Sequence, residues 1–137
     1  MTLVLDASLV LASILHDEAT DRAQARMREA FGQPVWVPSL WRLEVANVLR
    51  NAVRRGRCDT GFADRALAEL ARLPIAVDPE ADGRAWGDTL ALSRAEDLTL
   101  YDAAYLELAI RLDGALATCD KQLVDAARRR GLEVLTV

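Results

Sequence analysis

Apolar residues fall along this 137-residue chain in two alternating patterns: short unbroken runs, and longer stretches spaced at three and four. The short runs are Leu3-Val4-Leu5, Val35-Trp36-Val37, Ile75-Ala76-Val77, Ala115–Thr118 and the closing Glu133–Val137, and each predicts a strand. Between them the spacing is helical. Ser8 is placed to cap a helix through Leu15, and Glu18 to Phe31 reads as a second helix ended by Gly32. Ser39 precedes a long helix, Leu40–Arg55, that stops at Gly56, and Asp59 caps another that runs to Leu73 before Pro74. A helix from Glu80 to Arg94 follows. Thr99 and Asp102 fit a helix start ahead of Ala103–Leu112, and Lys121–Arg130 is the last helix.

Continuous apolar strands alternating with helices predict an α/β chain with a mostly parallel sheet covered on both faces. No repeat, low-complexity tract or linker interrupts residues 1–137, which read as a single domain. Sheets of this kind place their sites beyond the carboxyl ends of strands.

Four acidic residues break the apolar pattern in telling places. Asp6 follows Leu3-Val4-Leu5, Glu44 lies within Leu40–Leu49, Asp102 opens Ala103–Ile110, and Asp120 follows Ala115–Thr118. Each has an ordinary explanation as a helix cap or a residue favoured near a helix N-terminus. Glu44 fits that explanation worst, because Leu40 and Val48 lie one turn to either side of it. Asp6 and Asp120 fall at one edge of the expected sheet. Clustered carboxylates removed from water repel unless a cation joins them, and oxygen ligands suit Mg²⁺ or Mn²⁺.

Composition narrows the picture. With 52% hydrophobic and only 5% aromatic residues the core must be aliphatic, and a formal charge of −4 does not advertise a nucleic-acid binder. Local charge differs: residues 42–57 carry Arg42, Arg50, Arg54, Arg55 and Arg57 against Glu44 alone, a net of +4. Arg128, Arg129 and Arg130 form a second cluster, and either is also readable as a solvated helix face. Cys58 and Cys119 are isolated, which fits a reduced thiol in the cytoplasm better than zinc or a disulfide. The apolar start lacks a basic leader and is interrupted by Asp6, and no stretch reaches membrane-spanning length, so a soluble, cytoplasmic protein is expected. His16 reads as a surface residue, Asp125 as a weak extra acid, and Trp36, Trp41 and Trp86 do not build an aromatic–basic platform.

The segments Leu3-Val4-Leu5-Asp6-Ala7-Ser8, Pro38–Asn47 around Glu44, Leu98–Ala109 around Asp102, and Thr118-Cys119-Asp120-Lys121-Gln122-Leu123 with Ala126, Ala127 and Gly131 together resemble the PIN-domain ribonucleases. Within that family the chain is similar to VapC-type toxins of toxin–antitoxin pairs. The resemblance implies a three-layer sandwich with a short central sheet. It implies an acidic quartet, Asp6, Glu44, Asp102 and Asp120, holding Mg²⁺ or Mn²⁺, supported by the hydroxyls of Ser8 and Thr118. It further implies hydrolysis of structured RNA, such as a tRNA or ribosomal RNA loop, leaving a 5′-phosphate and a 3′-hydroxyl. A homodimer and a cognate VapB-type antitoxin are the implied partners. Arg50, Arg54, Arg55 and Arg57 are candidates for holding RNA phosphates, and Leu9, Val10 and Ile14 for either the core or a dimer contact.

Other classes fit the residues less well. An aspartyl phosphatase of another α/β fold usually has a second aspartate two residues after the first, where this chain has Ser8. A phospho-acceptor switch needs its acid at a mid-chain strand end, and the third strand leads only to Asp78-Pro79. A PIN nuclease of RNA processing remains the nearest alternative to a toxin.

Overall fold

Five short apolar segments become strands: β1 (Leu3–Leu5), β2 (Val35–Pro38), β3 (Ile75–Asp78), β4 (Ala115–Ala117) and β5 (Val134–Leu135). The computed structural model describes residues 1–16 and 20–137. All neighbouring strands pair in parallel, in the order β3-β2-β1-β4-β5. Leu3 stands opposite Val35 on one side and Ala115 on the other, so β1 and β4, whose paired residues are 112 apart in sequence, are direct partners. Such a sheet is buried on both faces, which is why β1 and β4 carry no alternation at all and are wholly buried.

Parallel strands require crossovers, and these are the helices α1 (Ala7–Ile14), α2 (Thr20–Ala30), α3 (Leu40–Arg54), α4 (Thr60–Ala71), α5 (Ala81–Arg84), α6 (Leu90–Glu96), α7 (Leu100–Arg111) and α8 (Lys121–Arg129). α1 packs on α2 and α3, and α3 on α4, while α6, α7 and α8 pack in series. α7 lies over β1, β2 and β4 and is buried continuously from Ala103 to Ala109. It is the central helix of the molecule. The expected start of the second helix at Glu18 lies outside the described residues.

Local chemistry explains most boundaries. Asp59 accepts a hydrogen bond from Phe62 N at 2.7 Å and Thr99 one from Asp102 N at 3.1 Å, both at helix starts. Ser39 occupies the start of α3 but its hydroxyl makes no cap bond. After α3, Gly56 adopts φ 74°, and Arg57 N bonds to Ala52 O at 2.9 Å, closing the helix end in the left-handed turn that glycine favours. Gly114 marks a close approach: a Cβ there would lie 2.5 Å from Thr2 O, where β4 begins beside β1.

Three sequence expectations change. The single helix over 80–94 is broken, because Gly87 takes φ −109°, ψ −106° within a wide turn over Ala85–Thr89. The side chain of Trp86, beside it, is almost wholly exposed. Leu9 and Val10 are fully buried in the chain's own core and Ile14 packs against it, so these residues complete the core. Arg129 and Arg130 are not a free basic face: both pair with Glu96, at 2.9 and 3.5 Å, tying the end of α8 to the end of α6. Among the described residues no helix is long and apolar enough to cross a membrane.

Candidate functional site

The strand order reverses between β1 and β4: the chain moves from β1 outward to β2 and β3, then crosses back to β4 and on to β5. A crevice opens beyond the carboxyl ends of strands at such a point. Asp6 leaves β1 into it, and Thr118 and Asp120 leave β4.

Asp6 is buried, and its Oδ2 accepts two hydrogen bonds, from Ser8 Oγ at 2.6 Å and from Thr118 Oγ1 at 2.7 Å. Ser8, the cap expected from sequence, is instead the second residue of α1 and turns back onto this carboxylate. The two hydroxyl oxygens are 3.1 Å apart, and each is fixed by a backbone donor: Cys119 N on Ser8 Oγ at 2.9 Å, Asp120 N on Thr118 Oγ1 at 3.0 Å. Hydrogen bonds to a charged group contribute about 1.5–3 kcal/mol each. Burial of an ion costs several kcal/mol. The balance at Asp6 runs against the charge: burial raises its pKa, the two hydroxyls pull it down, and Asp120 adds repulsion.

The other three acids arrive on helices. Asp120 begins α8, where its Oδ1 accepts from Leu123 N at 3.1 Å. Asp102 sits in the first turn of α7, its N–H bonded to Thr99. Glu44 is half-buried, at the edge of the stripe formed by Trp41, Val45 and Leu49, and its Oε1 accepts a short hydrogen bond from Tyr105 Oη. Burial raises the Glu44 pKa, with Asp6 adding to it. Asp102 is pushed up to about 6, first by burial and then by the charges of Asp120, Asp6 and Glu44. One acid thus feels all three others. None of the four forms an ion pair with the described residues.

Residues 3–129, nearly the whole chain, match the family model of the PIN domain. The chain belongs to the PIN-domain family. Its relatives there are VapC proteins: it is 34% identical over 125 residues to Ribonuclease VapC3 of Pyrobaculum aerophilum, covering 91% of this chain and 94% of that one. Mycobacterium tuberculosis VapC20, described as a sarcin-ricin loop cleaving toxin, has the same fold at a TM-score of 0.66 and 17% identity, covering 90% of this chain and 94% of that one. VapBC2 from Rickettsia felis, solved with a DNA fragment from its promoter, gives a TM-score of 0.66 at 14% identity and covers 100% of this chain and 99% of that one.

In this PIN domain the donor set fits a hard divalent cation: four carboxylates that lack a counter-charge among the described residues, one of them repelled by the other three. The cage is not closed. Among the described residues no three acids, thiols or imidazoles already surround one point as an ion's ligands. The four are linked by the charges that Asp102 feels from the other three, not by a ready-made set of ligands.

The remaining candidates separate cleanly. Arg50, Arg54, Arg55 and Arg57 are exposed and form no ion pair with the described residues. At 1.5 Å per residue, Arg50 lies roughly 9 Å and Arg54 roughly 15 Å along α3 from Glu44. His16 stands apart, its ring 6.5 Å from that of Phe62, and Asp125 is exposed on α8. Trp41 is core. Sequence reasoning missed Tyr105, since an aromatic residue in an apolar helix gives no sign of what its hydroxyl touches. It also missed Glu107, which lies one turn before Arg111 in the sequence and pairs with it.

Proposed function

We propose that this PIN domain is a metal-dependent endoribonuclease in which Asp6, Glu44, Asp102 and Asp120 hold Mg²⁺ or Mn²⁺. The observation that carries the reading is Asp102 at a strand-end crevice, its pKa raised by burial and then by the charges of three other acids, with no cation paired to it among the described residues. Such an ion supplies Lewis acidity: it neutralises charge at a scissile phosphodiester and makes hydroxide available near neutral pH. The chain's own part is to present the four carboxylates. Ser8 and Thr118 orient Asp6 and offset part of the effect of burial on its charge, and the first turn of α8 orients Asp120. Arg50, Arg54, Arg55 and Arg57 hold RNA phosphates away from the cut.

The ribonuclease name of VapC3 and the toxin description of VapC20 support a toxin acting on structured RNA, a tRNA or ribosomal RNA loop. The VapBC2 assembly supports a VapB-type antitoxin as partner. An antitoxin side chain that silences the pocket is best met by arginine, whose planar fork pairs with carboxylates. A homodimer completes the proposed assembly.

Mn²⁺ should stabilise the wild type by about 2.7 kcal/mol at a hundred times its Kd. Asp102→Asn should gain little and lose RNA cleavage by at least about 10²-fold. Equal gains in melting temperature would remove the ion from this pocket. For the toxin role, expression alone should slow growth and co-expression of the neighbouring gene should restore it. Undisturbed growth with soluble, metal-loaded protein would favour a PIN nuclease of RNA processing.

A further inference from the structure

Asp6 Oδ2 is held by Ser8 and Thr118, Asp120 Oδ1 by Leu123 N, and Glu44 Oε1 by Tyr105. The first two holds are local or come from the adjoining strand end. The third reaches across 61 residues, from α7 to α3, and is made by a fully buried side chain. Glu44 is also the acid that most needs it. A glutamate has one more rotatable bond than an aspartate, and fixing such a chain costs up to about 2 kcal/mol of rotamer entropy.

We infer that Tyr105 is a positioning residue for the pocket: its buried phenol clamps Oε1 of Glu44 and leaves Oε2 as the oxygen offered to a ligand. This rests on the metal reading given above. A tyrosine placed only to fill the core needs some acceptor, and any carbonyl of α7's neighbours would serve. Here the acceptor is a carboxylate of the pocket, and the phenol also lies in the field of Asp6. Tyr105 follows Asp102 by three positions, so one face of α7 delivers both an acid and the clamp for a second acid. No other hydrogen bond holds Glu44 among the described residues. Without the phenol, Glu44 is free to swing into solvent, away from Asp6 and Asp102, which repel it.

The test is a double-mutant cycle on Mn²⁺ affinity, measured by calorimetry with wild type, Tyr105→Phe, Glu44→Ala and the double variant. Tyr105→Phe should weaken Mn²⁺ by about 10-fold or more, in the range for residues that orient metal ligands. It should also lower kcat on RNA with KM little changed. In the Glu44→Ala background the same substitution should change Mn²⁺ affinity by less than about twofold, because the ligand it orients is gone. Wild-type affinity in Tyr105→Phe, or a loss that persists without Glu44, would overturn the assignment. Absence of Mn²⁺ binding by the wild type would overturn the metal reading itself, and this assignment with it. Should Tyr105→Phe not fold, Tyr101→Phe leaves Tyr105 as the sole tyrosine for 3-fluorotyrosine labelling. Its fluorine resonance should then shift saturably with Mg²⁺, and a resonance indifferent to Mg²⁺ would overturn the clamp.

Discussion

Asp102 is the residue at which the pocket's electrostatics are easiest to weigh. Its folded pKa of about 6 stands above the ordinary 3.8 because burial and three carboxylates disfavour its charge. The folded chain therefore keeps a proton that the unfolded chain releases near pH 4. That contribution is complete below the unfolded value and is lost as pH rises through 6. In chelator, Asp102→Asn should be more stable than wild type at pH 7 by roughly 1–2 kcal/mol, after discounting for the partly open surroundings. The gap should close toward pH 4. A variant less stable than wild type at pH 7 would mean that Asp102 sits in a favourable ion pair. The four acids were legible in the sequence because a carboxylate at the end of, or inside, an apolar run violates the pattern. Ser8 and Tyr105 violate nothing, and of the two only Ser8 was reached, through the family resemblance. A serine after a strand and a tyrosine in an apolar helix are both ordinary, and their roles depend on neighbours 110 and 61 residues away.

Among the elements, α7 does two jobs with its two ends. Its first turn carries Asp102, while near its last turn Arg111 binds Asp78 of β3 through two hydrogen bonds, at 3.0 and 2.7 Å, and Glu107 through two more, at 2.8 and 3.0 Å. Asp78 and Glu107 are buried, and Arg84 of α5 adds a second cation 3.5 Å from Glu107. This network fastens the edge strand and the broken α5–α6 segment to the central helix. Asp78→Asn loses the charged hydrogen bonds from Arg111, which keeps Glu107 as counter-charge, and should cost about 1.5–3 kcal/mol in urea unfolding at pH 7. Arg111 holds the Asp78 carboxyl below its ordinary range. Its contribution is therefore present above the unfolded pKa and fades as pH falls through the lower folded value, opposite in sense to Asp102. The difference between Asp78→Asn and wild type should shrink as pH falls below the ordinary 3.8; a constant difference would deny the pair. The strands were readable as unbroken apolar runs, and the helix starts at Asp59 and Thr99 as caps. The break at Gly87 was not, because polar and apolar positions continue through it. Nor was the network, since Asp78 and Glu80 in the sequence look like a solvated turn.

On the scale of the whole molecule, a net charge of −4 conceals a polarity: an acidic crevice at the start of α3 and free arginines at its end. An RNA that reaches both needs several nucleotides between the cut phosphate and those held by Arg54, Arg55 and Arg57. Replacing Arg50, Arg54, Arg55 and Arg57 together by glutamine should weaken RNA binding. It should also reduce the slope of log K against log salt by up to about 3, at roughly 0.7 per phosphate contact on single strands. Mn²⁺ affinity should not change, and an unaltered slope would return the arginines to the solvated surface. An α/β sheet was legible from the alternation of elements. Its strand order was not, because parallel pairing of β1 with β4 depends on a crossover that no local pattern encodes.

That pairing has a consequence in time. Asp6 is made 112 residues before Thr118 and 114 before Asp120, which complete its surroundings. A ribosome that has translated only through α7 carries Asp6, Glu44 and Asp102 but lacks β4, the strand that lines one wall of the crevice. Because synthesis is vectorial, the pocket cannot assemble on a half-made chain. The crevice therefore takes shape only once the segment through Asp120 has been made.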